Sequence, residues 1–279
     1  MTHVLVLMGG ESAEREVSLK SGEEVLKSLF DNGFQVSKLD PNKDSLPEII
    51  KISPDIVFNA LHGRFGEDGF IQGFLESYRV PYTHSGVLAS SIAMDKIFSK
   101  KIFESVGIKC TLGQVYFLED FKQNIQIEYP CVIKPINEGS SYGVRILYDE
   151  NDKHTFFDAD DWCYGNKILV EKYVPGKELT VAIMDDRPLG VTEIIYDSKV
   201  YDFQAKYKKE FSKHFTPAEI PKEKYEEAMK IGLNAHQSLG CRGITRADLR
   251  YDFSQNSGEM YLMELNTQPG LTPISLFPE

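Results

Sequence analysis

Residues 263–270 read MELNTQPG, a strand-like apolar run that carries a glutamate and an amide two residues apart and ends in a proline–glycine turn. Side chains two apart on a strand project to the same side. Glu264 and Asn266 are therefore expected to share a face with Leu262, opposite Tyr261, Met263 and Leu265. Upstream, GITRADLRYDF puts Ile244, Arg246, Asp248 and Arg250 on one face and Thr245, Ala247, Leu249 and Tyr251 on the other. The connection SQNSGE predicts that the two strands pair antiparallel. With the apolar faces aligned, Arg246, Asp248, Glu264 and Asn266 converge on one patch. Three oxygen donors beside an arginine suit a hard cation such as Mg²⁺ that shares its shell with phosphate oxygens. A solvated hairpin face satisfies the same alternation.

Other segments offer anion-binding chemistry. In KPINEGSSYG a strand ends at Lys134, and the loop behind it supplies backbone N–H groups and the hydroxyls of Ser140 and Ser141. Such a loop can close over a polyphosphate, or be an ordinary glycine–serine turn. It is not a G-x-x-x-x-G-K-[ST] loop, and no G-x-G-x-x-G follows the first strand, so a P-loop site and a dinucleotide dehydrogenase both lose their support. VEKYVPGKE reads either as a solvated turn or as a hinge where an adenine meets the backbone, with Glu171 and Glu178 flanking it. His62 in LHGRFGEDG stands at a strand's carboxyl end, where structural and catalytic readings are equally open. The stretch YDFQAKYKKEFSKHF, read as a polar aromatic loop at 201–215, interleaves lysines with aromatics. A membrane surface is a poor partner for it, because the chain's formal net charge is −11.

The elements that must position these residues follow from the hydrophobic pattern. VLVLMGG is a short apolar run typical of a parallel strand buried on both faces. REVSLKSGEEVLKSLFDNG has helical spacing, and FQVSKLD and DIVFNALHG read as further strands. The alternation predicts a doubly wound α/β unit, whose ligands bind beyond the carboxyl ends of its strands. After it come one helical stretch, SSIAMDKIFSKKIFESVG, then the strands PCVIKP, VRILYD and KILVEKYVPG, and finally the helix PKEKYEEAMKIGLNAHQSLG before the hairpin. The expected division is residues 1–92 as an N-terminal α/β domain, 93–176 as a central α+β lid and 177–279 as the C-terminal part. The overall class is α/β (α+β). Apolar residues at 42% and charged residues at 26% are ordinary for a globular protein, and the acidic balance disfavours a broad nucleic-acid face. Cys110, Cys131, Cys163 and Cys241 are widely spaced without C-x-x-C and read as reduced thiols, which fits the cytoplasm. No apolar run reaches about 18 residues. MTHVLVLMGG lacks a basic leader and a small-residue cleavage site, so it reads as a strand and not a signal peptide.

Taken in order, GGESAEREVSLKSG, HGRFGEDG, SGVLASSIAMDK, VIKPINEGSSYGV, LVEKYVPGKELT, AKY, RADLRYDF and MELNTQPGLTPISL resemble the D-alanine–D-alanine ligases of the ATP-grasp superfamily nearly from end to end. The resemblance implies an ATP-grasp fold and two substrates, ATP and D-alanine, with two Mg²⁺ ions (or Mn²⁺). By the same resemblance Lys96, Lys134 and Lys206 contact phosphate, Glu171 and Val174 fall at the adenine hinge, and Glu178 meets the ribose. Asp248, Glu264 and Asn266 fall on the metal ligands. Glu14 matches the residue that holds the first D-alanine's ammonium and, with Ser140 and Tyr207, fastens a mobile loop over the site. His62 lies near that D-alanine, Arg246 and the Gly270 N–H face the oxyanion, and Ser275 and Leu276 take the second D-alanine's carboxylate. The implied reaction forms a D-alanyl phosphate and then D-alanyl-D-alanine for peptidoglycan, in a homodimeric enzyme that needs no nucleic acid and no membrane.

Two departures from the family pattern stand out. His84 in PYTHSGV occupies a position where the family usually has glycine, which is expected to alter local backbone geometry without a catalytic role. The chain stops at SLFPE, whereas the family normally continues for another few dozen residues, so it is expected to lack the family's last helix. Two alternatives stay open: a ligase whose second substrate is D-lactate or D-serine, and a nucleotide-binding module without turnover. The AKY segment favours D-alanine, since Tyr207 matches the dipeptide-forming branch.

Overall fold

The computed structural model describes residues 1–123, 125–158, 162–196, 212–254 and 258–277; Lys206 and Tyr207 lie outside them. In chain order the elements begin with β1 (His3–Leu7), α1 (Arg15–Asp31), β2 (Gln35–Leu39), α2 (Leu46–Ile52), β3 (Ile56–Asn59), α3 (Phe70–Ser77), α4 (Val87–Met94) and α5 (Lys96–Ser105). Next come β4 (Gly113–Phe117), α6 (Leu118–Lys122), β5 (Cys131–Lys134), β6 (Arg145–Leu147), α7 (Glu150–Asp158) and β7 (Lys167–Lys172). The last are β8 (Lys177–Met184), β9 (Arg187–Tyr196), β10 (Ser212–Phe215), α8 (Lys222–Ser238), β11 (Ile244–Asp252) and β12 (Glu259–Asn266).

The first sheet is parallel, in the order β2-β1-β3. Its central strand is apolar from Val4 to Leu7 because both faces are covered there. Leu5 and Leu7 pack with Leu46, Ile49, Ile71 and Leu75 on one side. Val6 and Met8 pack against Val25 of α1 on the other. Parallel strands need helical crossovers, and those helices are what cover the faces. The carboxyl ends of β1 and β3 then release Gly9-Gly10 and His62-Gly63 on one edge. Gly9 and Gly10 take φ of +89° and +74°, a left-handed turn that glycine adopts without a Cβ clash.

The second sheet, β4-β7-β5-β6, is antiparallel and packs Phe121, Cys131, Ile133, Leu147, Ile168 and Val170 into its own core. The third, β10-β9-β8-β11-β12, carries the largest core, under α8. Ala89, Ala93, Phe103 and Ile108 join that third core, so α4 and α5 lie against the five-stranded sheet. These two helices replace the single helix expected over SSIAMDKIFSKKIFESVG. Asp95 breaks the run with extended backbone (φ −88°, ψ 105°), and its carboxylate accepts from the N–H groups of Ile97 and Phe98 as the cap of α5. The break sets Lys96 at the first turn of a new helix. Ser212–Phe215, expected as loop, pair with β9 as an edge strand.

The hairpin of β11 and β12 has the expected antiparallel pairing, with one correction. Thr245, Ala247, Leu249 and Tyr251 are buried in strict alternation. On β12 the phase changes, because the register shifts between Asp248 and Leu249 and leaves Met263 without an opposite partner. Leu262 is fully buried in the core, whereas Glu264 and Asn266 face away from it. Leu262 therefore does not share their face. A one-residue bulge switches the side of everything beyond it, because side-chain direction along a strand has period two.

Candidate active site

One cleft runs between the four-stranded and five-stranded sheets, and its walls include Lys96, Lys134, Val174, Glu178, Asp248, Arg250, Met263 and Glu264. Each reaches it from a different local device. Lys96 stands at the start of α5, where its ammonium donates to the Glu138 carbonyl at 2.6 Å and lies 3.4 Å from the Glu264 carboxylate. Lys134 closes β5 and pairs with Glu171 at 2.7 Å. A smaller hollow continues past Lys96 to Glu67, Gly139, Glu264 and Asn266.

The hairpin brings the proposed cation ligands together. Asp248 stands opposite Glu264, and Arg246 stands opposite Asn266. The Arg246 guanidinium grips both Asp248 oxygens at 2.8 Å. Thr180 donates to Asp248 at 2.7 Å, and the Asn266 amide nitrogen donates to it at 2.9 Å. Among the described residues no three His, Cys, Asp or Glu side chains form a metal cluster, so the candidate set is two carboxylates and an amide. Hard oxygen donors of this kind fit Mg²⁺ or Mn²⁺ and would not select a soft metal.

Glu171 sits behind the cleft wall. Its carboxylate is 1% exposed and is held by Lys100, Lys134 and the Thr111 hydroxyl. Burial alone would raise its pKa, but the charges of Lys134 and Lys100 outweigh that and hold the carboxyl below its usual range. Val174, close by on the hinge, does line the cleft. Arg250 fastens the hinge: it donates to the carbonyls of Val174 and Gly176 at 3.1 Å each and to Glu178 at 3.2 Å. Glu178 also accepts from the Tyr196 hydroxyl at 2.7 Å. Lys100, Tyr196 and Thr180 were not singled out from the sequence. Arg250 had a signal, since period two put it on the face of Arg246 and Asp248.

At the other end, the loop 135–144 docks onto the parallel-sheet unit. The Ser140 hydroxyl bonds to the Glu14 carboxylate, and the Tyr142 hydroxyl donates to the Ala13 carbonyl at 3.3 Å. Gly63 and Gly139 leave the space Glu14 needs, since a Cβ on either would come within 2.7 and 3.1 Å of its Oε2. Glu67 accepts from the Gly63 N–H at 2.7 Å, and burial together with the Glu14 charge holds its carboxyl well above the usual range. His62 is buried, 3.3 Å from the Ser21 hydroxyl, and burial pushes it down to about 4, so the ring is neutral. Ser21 also accepts from the Leu271 N–H at 3.2 Å, which ties the site's last loop to α1. In that loop Ser275 accepts from the Thr272 N–H at 3.0 Å and crowds Gly270, where a Cβ would lie 2.9 Å from its hydroxyl. Leu276 packs with Ile194 and Tyr196. The expected lock of Tyr207, Ser140 and Glu14 is thus present in its Ser140–Glu14 half, and Tyr207 and Lys206 fall outside the described residues.

His84 does take an unusual backbone, φ +73°, in the region that favours glycine. Its ring bonds to Thr83 at 2.7 Å and meets Phe58 edge-on, while its carbonyl accepts from Arg242 at 2.9 Å. All four cysteines are free thiols, and burial pushes Cys131 up to about 11. No helix among the described residues is long and apolar enough to cross a membrane.

The chain is similar to known proteins along nearly its whole length. Residues 112–279 match the family model described as D-ala D-ala ligase C-terminus, and residues 38–85 match D-ala D-ala ligase N-terminus. The chain is 46% identical over 279 residues to a D-alanine–D-alanine ligase of Granulibacter bethesdensis, covering 99% of this chain and 91% of that protein. It is 48% identical over 282 residues to that of Paramagnetospirillum magneticum, with the same coverage of 99% and 91%. Among solved structures it superposes on the Bacillus anthracis D-alanine–D-alanine ligase complexed with ATP at a TM-score of 0.81, with 29% identity over 100% of this chain and 90% of that one. The VanG D-Ala:D-Ser ligase of Enterococcus faecalis gives a TM-score of 0.79 at 26% identity, over 99% of this chain and 93% of that one. With its ATP-grasp fold and matches to both family models, this chain belongs to the D-alanine–D-alanine ligase family.

Proposed function

We propose that this chain joins two D-alanines at the expense of ATP, through a D-alanyl phosphate, and so supplies D-alanyl-D-alanine for peptidoglycan. The observation that carries this reading is the convergence of Lys96, Lys134, Glu178, Asp248 and Glu264 on one cleft, with Ser140 bonded to Glu14 at its end. The reading includes a cytoplasmic location and a homodimer. It also includes three bodies; the separate cores under the three sheets support that number but not a division at residue 92, since α4 and α5 pack in the third core.

In this reading the adenine lies against Val174 and the hinge backbone, Glu178 holds the ribose, and Lys96 and Lys134 hold the phosphates, joined by Lys206. Mg²⁺ or Mn²⁺ on Asp248, Glu264 and Asn266 supplies charge neutralisation at the transferring phosphoryl group. Glu14 holds the first D-alanine's ammonium beside neutral His62, so that its carboxylate attacks the γ-phosphoryl group and ADP departs. The acyl phosphate reacts with water, so the loop bonded through Ser140 to Glu14, and through Tyr207, keeps solvent out. Ser275 and Leu276 hold the second D-alanine's carboxylate, and its amine attacks the acyl carbon. Arg246 and the Gly270 N–H stabilise the oxyanion before phosphate leaves.

The test is phosphate release from ATP with D-alanine, with L-alanine, and with D-alanine plus D-lactate or D-serine. Release that needs D-alanine and yields the dipeptide supports the reading. Greater turnover into a mixed product, or none with D-alanine, overturns it.

A further inference from the structure

The charge cluster behind the cleft wall holds one cation more than its single carboxylate needs. Glu171 and Lys134 belong to the four-stranded sheet, but Lys100 arrives from α5, which is rooted in the third core through Phe103. Lys100 and Glu171 are both buried, and neither is among the residues that line the cleft; Lys134 is. Lys100 and Lys134 take different oxygens of the carboxylate, Oε1 and Oε2, and Thr111 donates to Oε2 at 2.8 Å. Gly113, opposite Glu171 on β4, leaves the room for this, since a Cβ there would lie 2.7 Å from Glu171 Cγ. Burial pushes Lys100 down to about 8, with Lys134 adding to the fall and Glu171 opposing it, so it is mostly charged at neutral pH.

A buried carboxylate that loses its counter-ion is strongly unfavourable. Were Lys134 the only cation on Glu171, a phosphate drawing Lys134 into the cleft would strand that charge. We propose that Lys100 is a positioning residue that keeps Glu171 paired, so that the Lys134 ammonium is free to turn from Glu171 to the nucleotide's phosphates. The proposal rests on Lys134 as a phosphate contact. Lys100 itself never meets the nucleotide.

The experiment measures dissociation constants for ATP directly and for adenosine by competition, in Lys134→Met, Lys100→Met, Glu171→Gln and the double variant Lys100→Met/Glu171→Gln. Lys134→Met is expected to weaken ATP and spare adenosine; if ATP is unaffected, the phosphate contact, and with it the proposal, is wrong. Lys100→Met is expected to weaken ATP roughly tenfold, the scale of one charge-assisted hydrogen bond, and to leave adenosine unchanged. An equal loss for both ligands would mean a merely structural hinge role and overturn the proposal. In the Glu171→Gln background no buried carboxylate needs a partner, so adding Lys100→Met should shift ATP affinity by less than about twofold. A tenfold loss there would mean that Lys100 touches phosphate itself and would equally overturn it. This last comparison holds even if Lys100→Met alone does not fold, because the double variant leaves no unpaired buried carboxylate.

Discussion

Asp248 on β11 and Glu264 on β12 lie directly opposite each other, and the next pair along, Leu249 with Leu262, points to the other side with Met263 left over between them. The bulge puts an extra residue into the cleft wall while the two carboxylates still face each other across it. Two like charges this close are unfavourable unless cations stand beside them. Arg246 and Lys96 do so here.

Glu264→Gln removes one of those charges without opening a cavity. Phosphate release should fall by about a hundredfold or more, as expected when a metal shell loses a carboxylate. The melting temperature should stay close to that of the parent, because Glu264 is part of no apolar core. Steady-state phosphate release at saturating Mg²⁺ checks this, and near-normal turnover would remove Glu264 from the cation set.

Ser140→Ala cuts the bond that ties the loop 135–144 to Glu14. A hydrogen bond to a charged group contributes about 1.5–3 kcal/mol. Limited proteolysis within the loop should accelerate, and the half-saturating D-alanine concentration should rise more than that of ATP. Unchanged cleavage would count against the loop as a closure.

Arg250→Lys keeps the charge but loses the fork that reaches two hinge carbonyls and Glu178 at once. A KM for ATP raised roughly tenfold, with kcat nearly unchanged, is the expected pattern for lost ground-state binding. Equal falls in kcat and kcat/KM would place Arg250 in the transition state instead.

Acid should destabilise the protein through its buried histidines, His62 and His84 above all. Burial pushes His62 down to about 4 and His84 to about 3, both below their ordinary value. Between about pH 6.5 and 4 the unfolded chain binds protons that the native rings do not, so stability falls as pH falls through that window. At pH 5 each ring contributes a loss of about 2 kcal/mol. His84→Asn suits the positive φ and removes one ring, so urea unfolding at pH 7 and pH 5 should show a smaller difference than in the parent. An identical difference would mean that His84 is not held neutral.

The roles expected of individual residues rest on the ordered motifs, and the faces their neighbours share rest on alternation and turns. The sequence by itself determined that Asp248, Glu264 and Asn266 could share a face, that β1 is buried on both sides and that the chain is an ATP-grasp ligase. Those properties are carried by side-chain period and by short motifs, which need only neighbouring residues. Only the tertiary structure decided that Met263 bulges and sends Leu262 to the core, that Asp95 splits one helical pattern into two, and that α5 belongs with the third core. The same holds for Lys100, which meets Glu171 across 71 residues, and for Ser140, which meets Glu14 across 126. Nothing local distinguishes Lys100 from Lys101 beside it. Which lysine is buried against a carboxylate depends on how a helix from one packed core is pressed against the strands of another, and that is settled by contacts between segments far apart in the chain.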